Sequence, residues 1–100
     1  MTMKNEEIKM NLTCKMIELY KYLIFEKKEF IISKRILKII TDLGSLFSAK
    51  NQNETFEITV EINFWTKVLI KNEDDGQLKQ IIEDISNSTK SIIKEMEENV

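Results

Sequence analysis

The sequence predicts an all-α fold, four helices packed as a bundle, and three observations carry that expectation. The 100-residue chain holds two glycines and no proline, so it lacks the punctuation that short strands and hairpins need. Apolar residues recur every three or four positions in three segments. The fourth segment, FEITVEINFW, also resolves into helical stripes once its continuation TKVLI is included. One hundred residues make one domain, spanning 1–100, with a core of modest size.

The first helix is expected over roughly residues 5 to 28. Leu12, Met16, Leu19 and Leu23 follow one another at offsets of four, three and four, and so share a face. Met10, Cys14, Ile17 and Ile24 fall nearly opposite, making this helix apolar on two sides. The second helix comes after EKKEF, with Ser33 as its N-cap and Ile36, Ile40, Leu43 and Phe47 as its apolar face through about residue 49. Gly44 sits inside it, where glycine costs about 1 kcal/mol relative to alanine, and suggests close helix packing or else a bend.

KNQNE is the polar break before the third helix, with Asn53 or Thr55 able to cap that helix. From Phe56 to Trp65 apolar and polar residues alternate, and Ile58, Val60 and Ile62 are β-branched, a local pattern that favours a strand. No second strand is in view to pair with it, and the alternation fails after Trp65. Wound as a helix from about 55 to 71, the residues form a core stripe of Ile58, Ile62, Trp65 and Leu69 and a second stripe of Phe56, Val60, Phe64 and Val68. The helical reading is therefore adopted, with Trp65 largely buried. NEDDGQ ends the segment, and Asp74 or Asp75 caps the last helix, about 77 to 98, whose stripe is Leu78, Ile82, Ile85, Ile92 and Met96. Thr89 interrupts that stripe and is expected to bond back to a carbonyl of its own helix.

Two apolar stripes on one helix exceed what a bundle core requires. Since the first and third helices both carry two, one stripe of each is expected inside the bundle and the other against a neighbouring subunit, or under a third layer formed by the N-terminal arm.

Chemistry-bearing residues are sparse. The chain has no histidine, which removes the usual triad, acid–base and zinc arrangements, and no catalytic residue or cofactor is expected. The single cysteine, Cys14, reads as a small buried residue rather than a reactive thiol. Glu73-Asp74-Asp75 reads as a capped turn rather than a metal site, and Glu57 and Glu61, one turn apart, have no visible partner for acid–base work. Without a signal peptide or an apolar run of roughly eighteen residues, a cytoplasmic protein with no membrane contact is expected, and the Asn-x-Ser/Thr matches at Asn11, Asn53 and Asn87 are taken as chance.

The net charge of −2 hides an asymmetry: eight basic and four acidic residues lie between 15 and 50, against five and eleven between 51 and 100. Lys27, Lys28, Lys34, Arg35 and Lys38 form the densest basic group, at the turn between the first two helices, where cations could meet phosphates. The plainer reading of the same group is a solvated helix end.

The stretch LYKYLIFEKKEFIISKRILK, followed by TDLGSLF, resembles the motif of bacterial four-helix-bundle proteins first met in intervening sequences of the large ribosomal RNA, roughly L-Y-x-Y-L-x-x-E-K-K-x-F-x-x-S-K-Q-L-L-R and then T-S-I-G-A-N-I. Glu61-Ile62-Asn63-Phe64-Trp65 is similar to that family's E-T-x-Y-W signature, and EDISNSTKSIIK to its closing E-L-x-x-I-L-T-S-I-I-K. The resemblance reaches from about residue 16 to 95. It implies an antiparallel, up-down four-helix bundle that assembles as a homo-oligomeric ring, commonly a pentamer. One branch of the family serves as an accessory to reverse transcriptases in diversity-generating retroelements, where basic ring surfaces are thought to bind nucleic acid and the enzyme.

The sequence departs from the pattern in three places. Leu46-Phe47-Ser48-Ala49 stands where the family has N-I-A-E, Arg35 replaces a glutamine, and the connection to the Trp65 motif is shorter by roughly ten residues, nearly three helical turns. The expected function is thus a non-enzymatic homo-oligomeric scaffold or adaptor with RNA or a reverse transcriptase as candidate partners. The opposed reading is a small nucleic-acid-processing enzyme or toxin component.

Overall fold

Four helices account for the regular structure of the computed structural model: α1 (Thr2–Phe25), α2 (Ile32–Ala49), α3 (Gln52–Ile70) and α4 (Gly76–Glu98). The structure describes the backbone of residues 2–49, 52–71 and 73–98, and the side chains of 7–44, 54–71 and 73–95. No strand occurs among the described residues, so FEITVEINFW is helical throughout. The alternating pattern loses because a lone strand would have no ladder to satisfy its backbone, whereas a helix bonds internally.

Each helix packs on its neighbours in chain order and α1 closes against α4, leaving α1 and α3 on one diagonal and α2 and α4 on the other. Four polar contacts record the antiparallel register. Lys15 pairs with Asp84 (3.4 Å), Tyr22 bonds Asp75 (2.6 Å), Arg35 pairs with Glu61, and Thr89 lies 3.0 Å from the Asn63 amide. The result is an up-down four-helix bundle 39 Å long.

The core takes one stripe from each helix: Leu12, Met16, Leu19 and Leu23 from α1, Ile36, Ile39 and Leu43 from α2, Ile58 and Ile62 from α3, and Leu78, Ile81, Ile82, Ile85 and Ile92 from α4. Phe47 and Met96, expected in these stripes, lie outside the residues whose side chains are described. Ile40 and Leu69 pack against the core from its edge. Three threonines are also buried with their hydroxyls satisfied locally, Thr59 donating to the Phe56 carbonyl (2.7 Å), Thr66 to Asn63 (3.1 Å) and Thr89 to Ser86 (2.9 Å). The Thr89 bond to its own helix is the expected one.

The helix ends correct the sequence reading in two places. Ser33 does not cap α2: it is fully buried one residue inside the helix, with its hydroxyl unpartnered. The Glu29 carboxylate does the capping, accepting the N–H groups of Ile31 (3.1 Å), Ile32 (3.0 Å) and Ser33 (2.8 Å). A glutamate four residues upstream can reach these donors because Lys28 turns the chain with φ 53°, in the left-handed region, while Glu29 N–H bonds back to the Leu23 carbonyl at 2.9 Å. Thr55 likewise sits inside α3, which starts at Gln52, and the alternative cap Asn53 lies outside the described side chains. Asp75 caps α4 as expected, its Oδ1 accepting from Gln77 (3.0 Å) and Leu78 (3.1 Å).

Three side-chain expectations are also corrected. Trp65 is half-buried rather than buried, because its Nε1 donates to Glu61 (3.2 Å) at the rim and holds the indole edge outward, beside Phe64 in an edge-to-face contact of 5.1 Å. Cys14 is exposed, on the outer face of α1. Gly44 is not a close-packing glycine: a β-carbon there would meet nothing within 4 Å, since the residue comes after Leu43 on the outer side of α2.

Candidate functional site

The inner stripe of α3 is occupied by core contacts, so its other apolar residues have nowhere to go but outward. Phe56, Val60, Phe64 and Val68 are 47%, 49%, 57% and 40% exposed. They succeed one another at every fourth position and form one continuous ridge along the helix. On the diagonally opposite helix, Met10, Cys14 and Ile17 are exposed and Ile24 half-exposed, lying opposite the buried Leu12–Leu23 stripe. Sequence periodicity located both faces. Their placement on non-neighbouring helices, facing away from each other, comes from the packing.

The α1–α2 turn carries further exposed apolar side chains, Phe25, Phe30 and Ile31. Among them sit the five cations singled out in the sequence, and the structure separates these by what they hold. Lys27 reaches across to the α3–α4 turn and pairs with Glu73 (3.2 Å) and Asp75 (3.5 Å). Arg35 pairs with Glu61, and Lys38 with Asp42 one turn along α2 (3.7 Å). Lys28 and Lys34 are exposed and have no ion pair among the described residues. The basic group is thus one turn of sequence but not one cationic patch.

The ion pairs set the charge states around them. The Lys27 ammonium holds the Glu73 carboxyl below its ordinary range, and Tyr22 and the α4 cap N–H groups do the same for Asp75. Donating to that carboxylate pushes the Tyr22 phenol up to about 12. Arg35, and then the Trp65 indole N–H, lower Glu61. This disposes of Glu57 and Glu61 as an acid–base pair, since Glu61 is committed to Arg35 and Trp65 while Glu57 is exposed. In the acidic turn, Glu73 accepts the N–H groups of Asp74 and Asp75 at 3.2 Å each, so its carboxylate faces backbone donors and Lys27. No group of three His, Cys, Asp or Glu among the described residues is placed to hold a metal ion.

Sequence reading missed one concavity. Between α3 and α4 lies a groove of about 520 Å³ lined by Asn63, Thr66, Lys67 and Ile70 on one side and Lys79, Ile82, Glu83, Ser86, Asn87 and Lys90 on the other. Its three lysines are 12 and 11 residues apart in sequence, within the acidic half of the chain, so no local cluster announced them. None has an ion-pair partner among the described residues, unlike Lys15, Lys27, Arg35 and Lys38.

No helix among the described residues is long and apolar enough to cross a membrane. No protein-family model matches the chain, and comparison with curated proteins and with solved structures likewise returns no match.

Proposed function

We propose that this protein is a non-enzymatic, homo-oligomeric scaffold of the cytoplasm, assembled through the outer faces of α1 and α3. The observation that carries the proposal is the α3 ridge, four large apolar side chains in register and each at least 40% exposed. Scattered surface hydrophobics are ordinary, but a continuous ridge on a helix already anchored by another stripe costs solubility unless it is covered. The diagonal placement of the two faces supports a head-to-tail arrangement in which α1 of one copy covers α3 of the next. Each added copy then leaves one face of each kind open, so the assembly grows until it closes as a ring. Five copies, the number the family resemblance implies, would weigh about 59 kDa, five times 11.8 kDa.

Sedimentation at micromolar concentration tests this. A closed species several times 11.8 kDa is expected, and Val60→Glu should reduce it to the single-chain mass with its helical signal intact. Cys14 supplies a second readout because it lies on the outer α1 face. Mild oxidation of Val60→Cys should then link copies into ladders, and a wild-type monomer at these concentrations would end the proposal.

RNA or a reverse transcriptase as partner is the wider part of this reading, and at the α1–α2 end it would rest on Lys28 and Lys34. Around a ring those charges repeat, so retention should fall steeply with salt. Lys28→Glu/Lys34→Glu leaving RNA retention unchanged would remove the nucleic-acid role and keep the scaffold. Labelled RNA shortened by incubation with the pure protein would favour the enzyme reading instead.

A further inference from the structure

We infer that the α3–α4 groove binds an oligophosphate group, through Lys67, Lys79 and Lys90 at its rim and amide and hydroxyl donors on its floor. Binding there would be independent of self-assembly, because the groove lies on the α4 side of α3, beside the apolar ridge rather than on it.

Helix geometry sets the spacing of the cations. Lys79 and Lys90 are eleven residues apart, close to three turns, and so stand on one face of α4 about 16 Å apart. The Asn63–Thr89 contact at 3.0 Å fixes α3 antiparallel alongside, which puts Lys67 across the groove and about midway between them. Three ammonium groups therefore border one concavity from both walls. Glu83 is the one acid among the lining residues, it forms no ion pair with them, and a local excess of two positive charges remains.

Unpaired like charges around a groove repel one another and concentrate anions there. The floor is suited to such an anion. Ser86 and Asn63 are half-buried and Asn87 exposed, and the Ser86 hydroxyl and Asn87 amide are unengaged among the described residues. Thr66 is spent on the Asn63 carbonyl and contributes packing.

The residue types point to phosphate rather than carboxylate. Planar carboxylates are matched by the arginine fork, while lysine acts as a point charge for tetrahedral oxyanions. The chain's one arginine, Arg35, is on α2 and paired with Glu61. Cations strung along about 16 Å suit a chain of phosphates better than a single one. The groove has no aromatic lining on which a base would stack, so recognition would be of the phosphate chain itself. Its volume, about 520 Å³, falls within the range of small-ligand sites.

Calorimetric titration of the protein with inorganic tripolyphosphate at low salt tests the assignment, with citrate as the carboxylate comparison. Tripolyphosphate should bind saturably and more tightly than citrate, with affinity falling as salt is raised. Lys67→Gln/Lys79→Gln/Lys90→Gln should weaken it about tenfold or more, whereas Lys9→Gln/Lys21→Gln/Lys38→Gln, which removes the same charge elsewhere, should leave it within about twofold. Thermal melts of both variants confirm that each is folded. Equal losses in the two variants would mean diffuse charge, equal binding of citrate would remove the phosphate assignment, and no binding at millimolar ligand would overturn the site.

Discussion

The diagonal pair α1 and α3 and the diagonal pair α2 and α4 build the same core but present different exteriors. All four helices bury an inner stripe of Leu, Ile or Met. Beyond it, α4 shows no exposed large hydrophobic among its described residues and α2 shows only Leu37, whereas α3 shows four and α1 three. The α1 and α3 pair gives six buried apolar residues to the core and the α2 and α4 pair eight, a far smaller contrast than that of seven exposed large hydrophobics against one among the described residues. What separates them is how much apolar surface the bundle leaves uncovered: a helix with one apolar stripe has buried it when the bundle forms, while one with two still exposes the second.

Truncation within α3 should break the comparison most sharply. Ile62→Ala, on the inner stripe, is expected to cost about 2–5 kcal/mol in chemical denaturation, a large share of a small domain's stability. Val60→Ala, two residues away on the outer stripe, should change single-chain stability by no more than about 0.5 kcal/mol while weakening self-association in sedimentation. Equal costs at the two positions would mean that the outer stripe is core after all.

Acid should next separate the turns from the stripes. Glu61, Glu73 and Asp75 are held below their ordinary values of 4.5, 4.5 and 3.8, so the stability they supply is complete above that range and is lost as pH falls through it toward the lowered folded values. Tyr22 runs the other way. Its raised value makes its contribution complete below pH 10 and lost as pH climbs toward about 12. Melting temperature tracked against pH should therefore drop at both ends, and Tyr22→Phe should flatten the alkaline limb.

Three smaller changes probe α2 and its cap. Gly44→Ala adds a β-carbon into open space on α2 and should stabilise by about 0.5–1 kcal/mol. A loss instead would show that something covers that side of α2. Ser33→Ala removes a buried hydroxyl with no partner and should be neutral or stabilising by up to about 1 kcal/mol, whereas Glu29→Ala loses the α2 cap and should destabilise by about 1 kcal/mol.

The four inner stripes and the outer ridge of α3 were legible because helical periodicity is a local property, written in residues three and four apart. So was Asp75, a cap within two residues of the helix it starts. Glu29 was not, because its reach depends on a left-handed turn at Lys28 that no glycine marks. Trp65 was assigned to the core by its spacing, and only the position of Glu61 beside it shows why the indole stays at the rim.

By itself, then, the sequence determined that this chain is four helices and which face of each is apolar, since both come from residue spacing and from the near-absence of glycine and proline. Tertiary structure decided what meets what. It placed α1 and α3 on opposite corners, so that their surplus faces look outward. It divided one basic cluster into Lys27, Arg35 and Lys38 in ion pairs and Lys28 and Lys34 in solvent, because Glu61, Glu73 and Asp75 arrive from distant parts of the chain. And it gathered Lys67, Lys79 and Lys90 around one groove, which spacing along a single helix cannot disclose, since the antiparallel register of two helices brings them together.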